Sequence, residues 1–169
     1  MQRFPKSIVA ALLGISLCLG ALGAGGCSAM RAAAARNQVV YDRTIQHVYA
    51  MPCQNLWPAV QSLLFERGFA AQPPIHGQLL VIETQWRTEL RGSATWFTRY
   101  FVQAFAPTPS QCQLVMNKNE TQTPAVGTPY HTRDWDAEWV LLQRLDHARA
   151  EQIATEANVA GDKAGAENK

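Results

Sequence analysis

Asn55-Leu-Trp-Pro-Ala-Val-Gln-Ser-Leu-Leu-Phe-Glu-Arg-Gly-Phe69 is the stretch on which the fold turns. Leu56, Trp57, Val60, Leu63 and Leu64 fall at i, i+1, i+4, i+7 and i+8, which gathers them into one apolar stripe and predicts an amphipathic helix. Pro58 is tolerated only near the start, where its missing N–H has no intrahelical partner, so the helix should begin close to Asn55. Gly68 supplies a left-handed stop, and Phe69 should fold back onto the last turn. A helix with one apolar stripe must be laid against something else.

The partner is read from the flanking segments. Val39 to Ala50 places Val39, Tyr41, Ile45 and Tyr49 on one side, a period of two that predicts a half-buried strand. Met51-Pro52 breaks it. After a turn at Pro73-Pro74 and His76-Gly77, Gln78 to Trp86 predicts a second strand, apolar on both faces over Leu79 to Ile82. Arg87 to Thr95 reads as a loop. Strands then follow over Trp96 to Ala106 and Gln111 to Asn117, joined through Pro107-Thr-Pro-Ser110. Asn117 to His131 reads as a polar loop. A second helix starts at Thr132 or Asp134 and runs to about Ala157, with Trp135, Trp139, Leu142 and Leu145 inward and acidic residues early, as the helix dipole favours. The polar Asn158 to Lys169 predicts a disordered tail. The order is β-α-β-β-β-α, a single small α+β domain over residues 39–157: a curved antiparallel sheet packed by two helices.

Before this domain, Arg3 and Lys6 precede the apolar run Ile8 to Cys27, which ends in Ala24-Gly25-Gly26-Cys27. Charged, apolar and small residues in that order match an export signal. The segment resembles a bacterial lipoprotein precursor, in which signal peptidase II cuts before a cysteine that then carries acyl chains. The resemblance implies a signal over residues 1–26, lipidation at Cys27, and a flexible tether over 27–38. The family prefers leucine three places before the cysteine; here that place holds Ala24, and Leu22 stands two places too early. Two other readings therefore stay open: signal peptidase I cleavage near Ala32 to Ala35, and a short retained transmembrane helix. Ser28, where the resemblance would put aspartate for inner-membrane retention, implies carriage to the outer membrane with the domain facing the periplasm. Two or more acyl chains hold a bilayer firmly where one does not. The strand–helix–strand order, with Leu79-Leu-Val-Ile-Glu-Thr-Gln-Trp86 as its last part, is similar to BamC-like helix-grip modules of envelope lipoproteins.

Cysteine arithmetic fits export. Cys18 would leave with the signal and Cys27 would take the lipid, which leaves Cys53 and Cys112 as an even pair. In an oxidising compartment they form a disulfide or persist as two buried thiols, and the bridge is the favoured reading. Removing Arg3 and Lys6 balances the basic and acidic side chains of the remainder, so no electrostatic partner is implied. The arginines are scattered rather than clustered, against a nucleic-acid partner.

The search for chemistry yields no catalytic residue. His47, His76, His131 and His147 stand at no metal-ligand spacing, so neither a metal nor another cofactor is expected. No phosphate loop, nucleophile elbow or H-E-x-x-H helix occurs. Trp86, Arg87, Arg91 and Trp96, in and around one loop, are the candidate contact surface. The expectation is a lipid-anchored interaction protein of the cell envelope, bound to the membrane through its N-terminal lipid and to other envelope proteins. The alternative is a module holding a small apolar ligand between helix and sheet. Phe97, Tyr100, Phe101 and Phe105, read as filling that space, favour the former.

Overall fold

The computed structural model describes residues 28–72, 80–123 and 130–166. The expected export signal over residues 1–26, Cys27, the Pro73-Pro74 turn and the last three residues lie outside them. The chain divides into two compact units, one over Val40–Ile153 and one made of the described residues of its two ends, 28–39 and 154–166.

The larger unit is α+β with an antiparallel sheet. Its elements are the end of a helix over residues 28–45 (α1), β1 (Val48–Tyr49), α2 (Cys53–Glu66), β2 (Val81–Glu83), β3 (Arg87–Arg91), β4 (Ala94–Phe105), β5 (Cys112–Thr123), β6 (Tyr130–Arg133), α3 (Trp135–Leu145) and the start of α4 (His147–Ala166). Two 12-residue strands, β4 and β5, form the spine, in register from Thr95 opposite Thr123 to Phe105 opposite Gln113. Each is flanked by two short strands: β2 and β3 on the free side of β4, β1 and β6 on the free side of β5.

Helices cover one face. Along β4 burial falls on Thr98, Tyr100, Val102 and Ala104, and along β5 on Cys112, Leu114 and Met116, every second residue as the pleat dictates. These meet Leu56, Val60, Leu63 and Leu64 of α2, Leu141 and Leu142 of α3, and Ile153 of α4. Phe97, Phe101 and Phe105 alternate onto the opposite face. Their assignment to the space under the helices is therefore corrected; of that set only Tyr100 points inward, and aliphatic side chains fill the interior.

α2 matches its expected stripe and stop. Gly68 has φ +79°, Phe69 N donates to Leu64 O and Gly68 N to Phe65 O, the bonding of a Schellman end, and Phe69 is buried. The helix starts earlier than expected, at Cys53 after Pro52, so Pro58 stands in its second turn. Its missing donor forfeits only a bond to the carbonyl of exposed Gln54.

Several expected elements differ. Residues 39–45 are helical rather than strand, and only Val48–Tyr49 pairs with the sheet. The alanine run from Ala32 continues the helix through them, since propagation costs little once a helix has nucleated. The same run makes residues 28–38 helix rather than a flexible tether, and the tail is helical to Ala166. In the smaller unit these two segments lie antiparallel: Arg36 Nη2 is 3.0 Å from Asp162 Oδ1, and a Cβ on Gly161 would come within 2.5 Å of Arg36 Nε. Small residues let the helices approach. The long second helix breaks at Asp146, which ends α3 and whose side chain accepts from Arg149 N in the first turn of α4. Aspartate favours such caps over helix interiors. Part of the polar loop, residues 117–123, continues β5, because its polar side chains pair across an exposed sheet.

Cys53 and Cys112 form a disulfide, Cα atoms 4.9 Å apart, tying the first residue of α2 to the first of β5. Among the described residues no helix is long and apolar enough to cross a membrane.

Candidate functional site

Arg87 to Thr95 is a hairpin rather than a loop. β3 runs to Arg91, Gly92 and Ser93 turn the chain, and Ala94 pairs back with Arg91. Gly92 has φ +61° and Ser93 does not share it, as a type II′ turn requires of its first position. The Gly-Ser pair carried that signal in the sequence.

The hairpin brings Arg87, Glu89 and Arg91 opposite Thr98, Trp96 and Ala94, on the helix-bearing face. Beyond the end of α2 that face is uncovered and forms a cleft of about 270 Å³. Its floor is Thr98, Tyr100 and Lys118; Arg67 and Phe69 close one end, and β3 supplies the outer wall. A second hollow of about 400 Å³ adjoins it through Arg67, Tyr100 and Lys118 and reaches Asp134 at the start of α3.

The electrostatics are those of a braced cationic surface. Arg67 Nη1 donates to Asp134 Oδ2 at 3.0 Å and to Tyr100 Oη at 3.3 Å, and the Tyr100 hydroxyl donates to the same carboxylate oxygen. Burial and that hydrogen bond push the Tyr100 phenol well above its ordinary range. It therefore stays a donor. Arg87 Nη1 donates to Arg67 O at 2.7 Å, and its guanidinium lies 5.5 Å from the Phe69 ring centre. Arg91 is held by Glu89 at 3.0 Å and Glu120 at 3.3 Å, and stands 5.1 Å above the Trp96 ring. The Glu89 hydrogen bond raises the Arg91 guanidinium further. Burial pushes Glu120 up, but Lys118 at 3.1 Å, Thr98 and Arg91 outweigh it and hold the carboxyl below its usual range.

Three of the four expected contact residues, Arg87, Arg91 and Trp96, meet on this face. Trp96 also stacks on Tyr130, ring centres 6.4 Å apart. Trp86 does not join them; it lies 4.6 Å from the guanidinium of Arg99 on the opposite face. One residue along a strand reverses the face, so proximity in sequence overstated this group. Arg67, Tyr100, Lys118 and Asp134 were not anticipated, because they come from four separate elements. The Asp134 cap was legible, and its second oxygen was not.

Chemically the cleft can hold a carboxylate or another anion of similar size. Four cations and one carboxylate, Glu89, line the first hollow; Arg67, Arg91 and Lys118 each already meet a carboxylate, whereas Arg87 meets a carbonyl and a ring and is the charge best placed for an added anion. Arginines there present paired donors and Lys118 a point charge. No protein-family model matches the chain, and no curated protein matches it.

Proposed function

We propose that the protein is a lipid-anchored accessory of the cell envelope, held in the outer membrane through Cys27, that faces the periplasm and binds other envelope proteins. The observation that carries this reading is the Cys53–Cys112 bridge. Disulfides persist where the compartment oxidises thiols, and the apolar segment ending in Cys27 is the address to such a compartment. The basic cleft beside an exposed hairpin supports binding as the activity.

The anchor is tested by metabolic labelling with a radioactive fatty acid, followed by separation of the membranes. Label should enter the wild type and be lost in Cys27→Ser. An unlabelled wild-type protein in the soluble periplasmic fraction overturns the anchor. Crosslinking in intact cells should then recover envelope proteins through positions flanking β3.

A further inference from the structure

β3 is the part of the sheet that another chain can join. It pairs with β4 along one side, and among the described residues no strand lies along its other side. All five of its residues are exposed. The neighbouring β2 is already closed: Ala71 bridges Thr84, Gln72 N donates to Glu83 O at 2.7 Å, and Gln85 N donates to Ala70 O at 2.9 Å. An open strand edge offers a row of backbone donors and acceptors that an extended segment can satisfy.

The side chains of β3 say what kind of segment. A second β3 laid antiparallel and centred on the first would put Arg87 against Arg91 and Glu89 against Glu89, like charges throughout, and a slip of two residues that sets arginine against glutamate leaves only three residues of each strand paired, which disfavours a second copy of this chain. The complement carries a carboxylate facing Arg87, another facing Arg91, and a neutral or basic residue facing Glu89. Side chains alternate along a strand, so in either strand direction the two carboxylates are four residues apart. The residues between them that point to the other face stand beside Thr88 and Leu90, and Leu90 is 73% exposed. An apolar residue fits there. Arg87 is the stronger of the two attractions: its contacts are the Arg67 carbonyl and the Phe69 ring, neither of which neutralises its charge, whereas Arg91 already pairs with Glu89 and Glu120 and would share itself with a third carboxylate.

We infer that the outer edge of β3 takes up an extended acidic segment of another polypeptide as an added strand, with two carboxylates four residues apart against Arg87 and Arg91. This rests on the reading of the protein as an interaction module and specifies its partner's chemistry.

The test uses the processed protein in detergent, with its disulfide intact. It is titrated with a capped peptide bearing Glu-Val-Thr-Val-Glu and with its counterpart Lys-Val-Thr-Val-Lys, while amide hydrogen exchange is followed at residues 87–91. The acidic peptide should bind about tenfold more tightly, as two opposite-charge cross-strand pairs replace two like-charge pairs, and should slow exchange in β3. The double variant Arg87→Glu/Arg91→Glu should invert the preference, and its gained affinity for the lysine peptide shows that it is folded. Unchanged exchange at 87–91, or a preference that survives the double variant, overturns the inference. So does binding of dextran sulfate or anionic vesicles without binding of the peptide. The anchor is read separately by fatty-acid labelling, so a failed titration with a labelled protein refutes the edge alone.

Discussion

Arg67 Nη1 stands 3.0 Å from Asp134 Oδ2, so the residue that caps the end of α2 grips the residue that caps the start of α3. The other oxygen of that carboxylate accepts from Ala137 N at 3.0 Å, closing the first turn of α3. Asp134→Ala removes the cap, worth about 1 kcal/mol, and leaves Arg67 and the Tyr100 hydroxyl without their acceptor, for a total loss of about 2–3 kcal/mol. Asp134→Asn keeps the cap and should lose roughly half as much. Urea unfolding of the two variants measures the difference; equal losses would show that the cap carries nothing.

His47 makes stability depend on pH. Its side chain is 10% exposed, its ring meets Tyr49 edge to face at 4.4 Å, and Nε2 is 3.7 Å from Asp146 Oδ2. Burial lowers its pKa below 6.5 despite the pull of Asp146, and Arg149 lowers it further. The unfolded chain thus takes up the proton first, and the contribution of His47, complete above pH 6.5, is lost as pH falls through the folded value. The melting temperature of wild type minus that of His47→Leu should drop between pH 7.5 and 5. A difference constant across that range refutes the assignment.

The bridge between Cys53 and Cys112 closes a separation of 59 residues. Its reduction, or the Cys53→Ala/Cys112→Ala pair, should cost about 2–4 kcal/mol through the freed unfolded chain. Paired denaturation curves with and without reductant provide the check, and coincident midpoints would contradict it.

Gly68 is strained in any substitution that adds a side chain, because its φ of +79° suits glycine. A Cβ there would also stand 3.4 Å from Arg87 Nη1. Gly68→Ala should destabilise by about 1–2 kcal/mol through its left-handed backbone, since the guanidinium can accommodate the added methyl. An alanine variant with the wild-type unfolding midpoint would refute this.

The hydrophobic centre was legible wherever an apolar period coincided with a chain-breaking residue. α2 shows this: its stripe, Gly68 and the return of Phe69 were all read correctly, and Asp134 was among the expected caps of α3. Period alone misled at Val39 to Ile45, where alternating side chains sit in a helix propagated from the alanines before them. It was silent at residues 118–123, whose polar side chains pair on an exposed sheet and therefore leave no apolar alternation. The cleft was half legible. Arg87, Arg91 and Trp96 lie close in sequence, whereas Arg67, Lys118 and Asp134 arrive through strand register and helix ends. A pattern read one segment at a time does not contain such pairings.

β4 and β5 outrun the helices that cover them. Buried positions begin at Thr98 in β4 and end at Met116 in β5, while Ala94 to Phe97, residues 117–123 and all of β3 are at least partly open to solvent. Opening free energy follows apolar burial, so this projecting ribbon forms a weaker cooperative unit than the sheet beneath the helices. It can melt and re-form while the disulfide-tied centre stays intact. A strand that docks on β3 would therefore be felt as ordering along the ribbon, reaching Tyr100 and Asp134 where the ribbon joins the core.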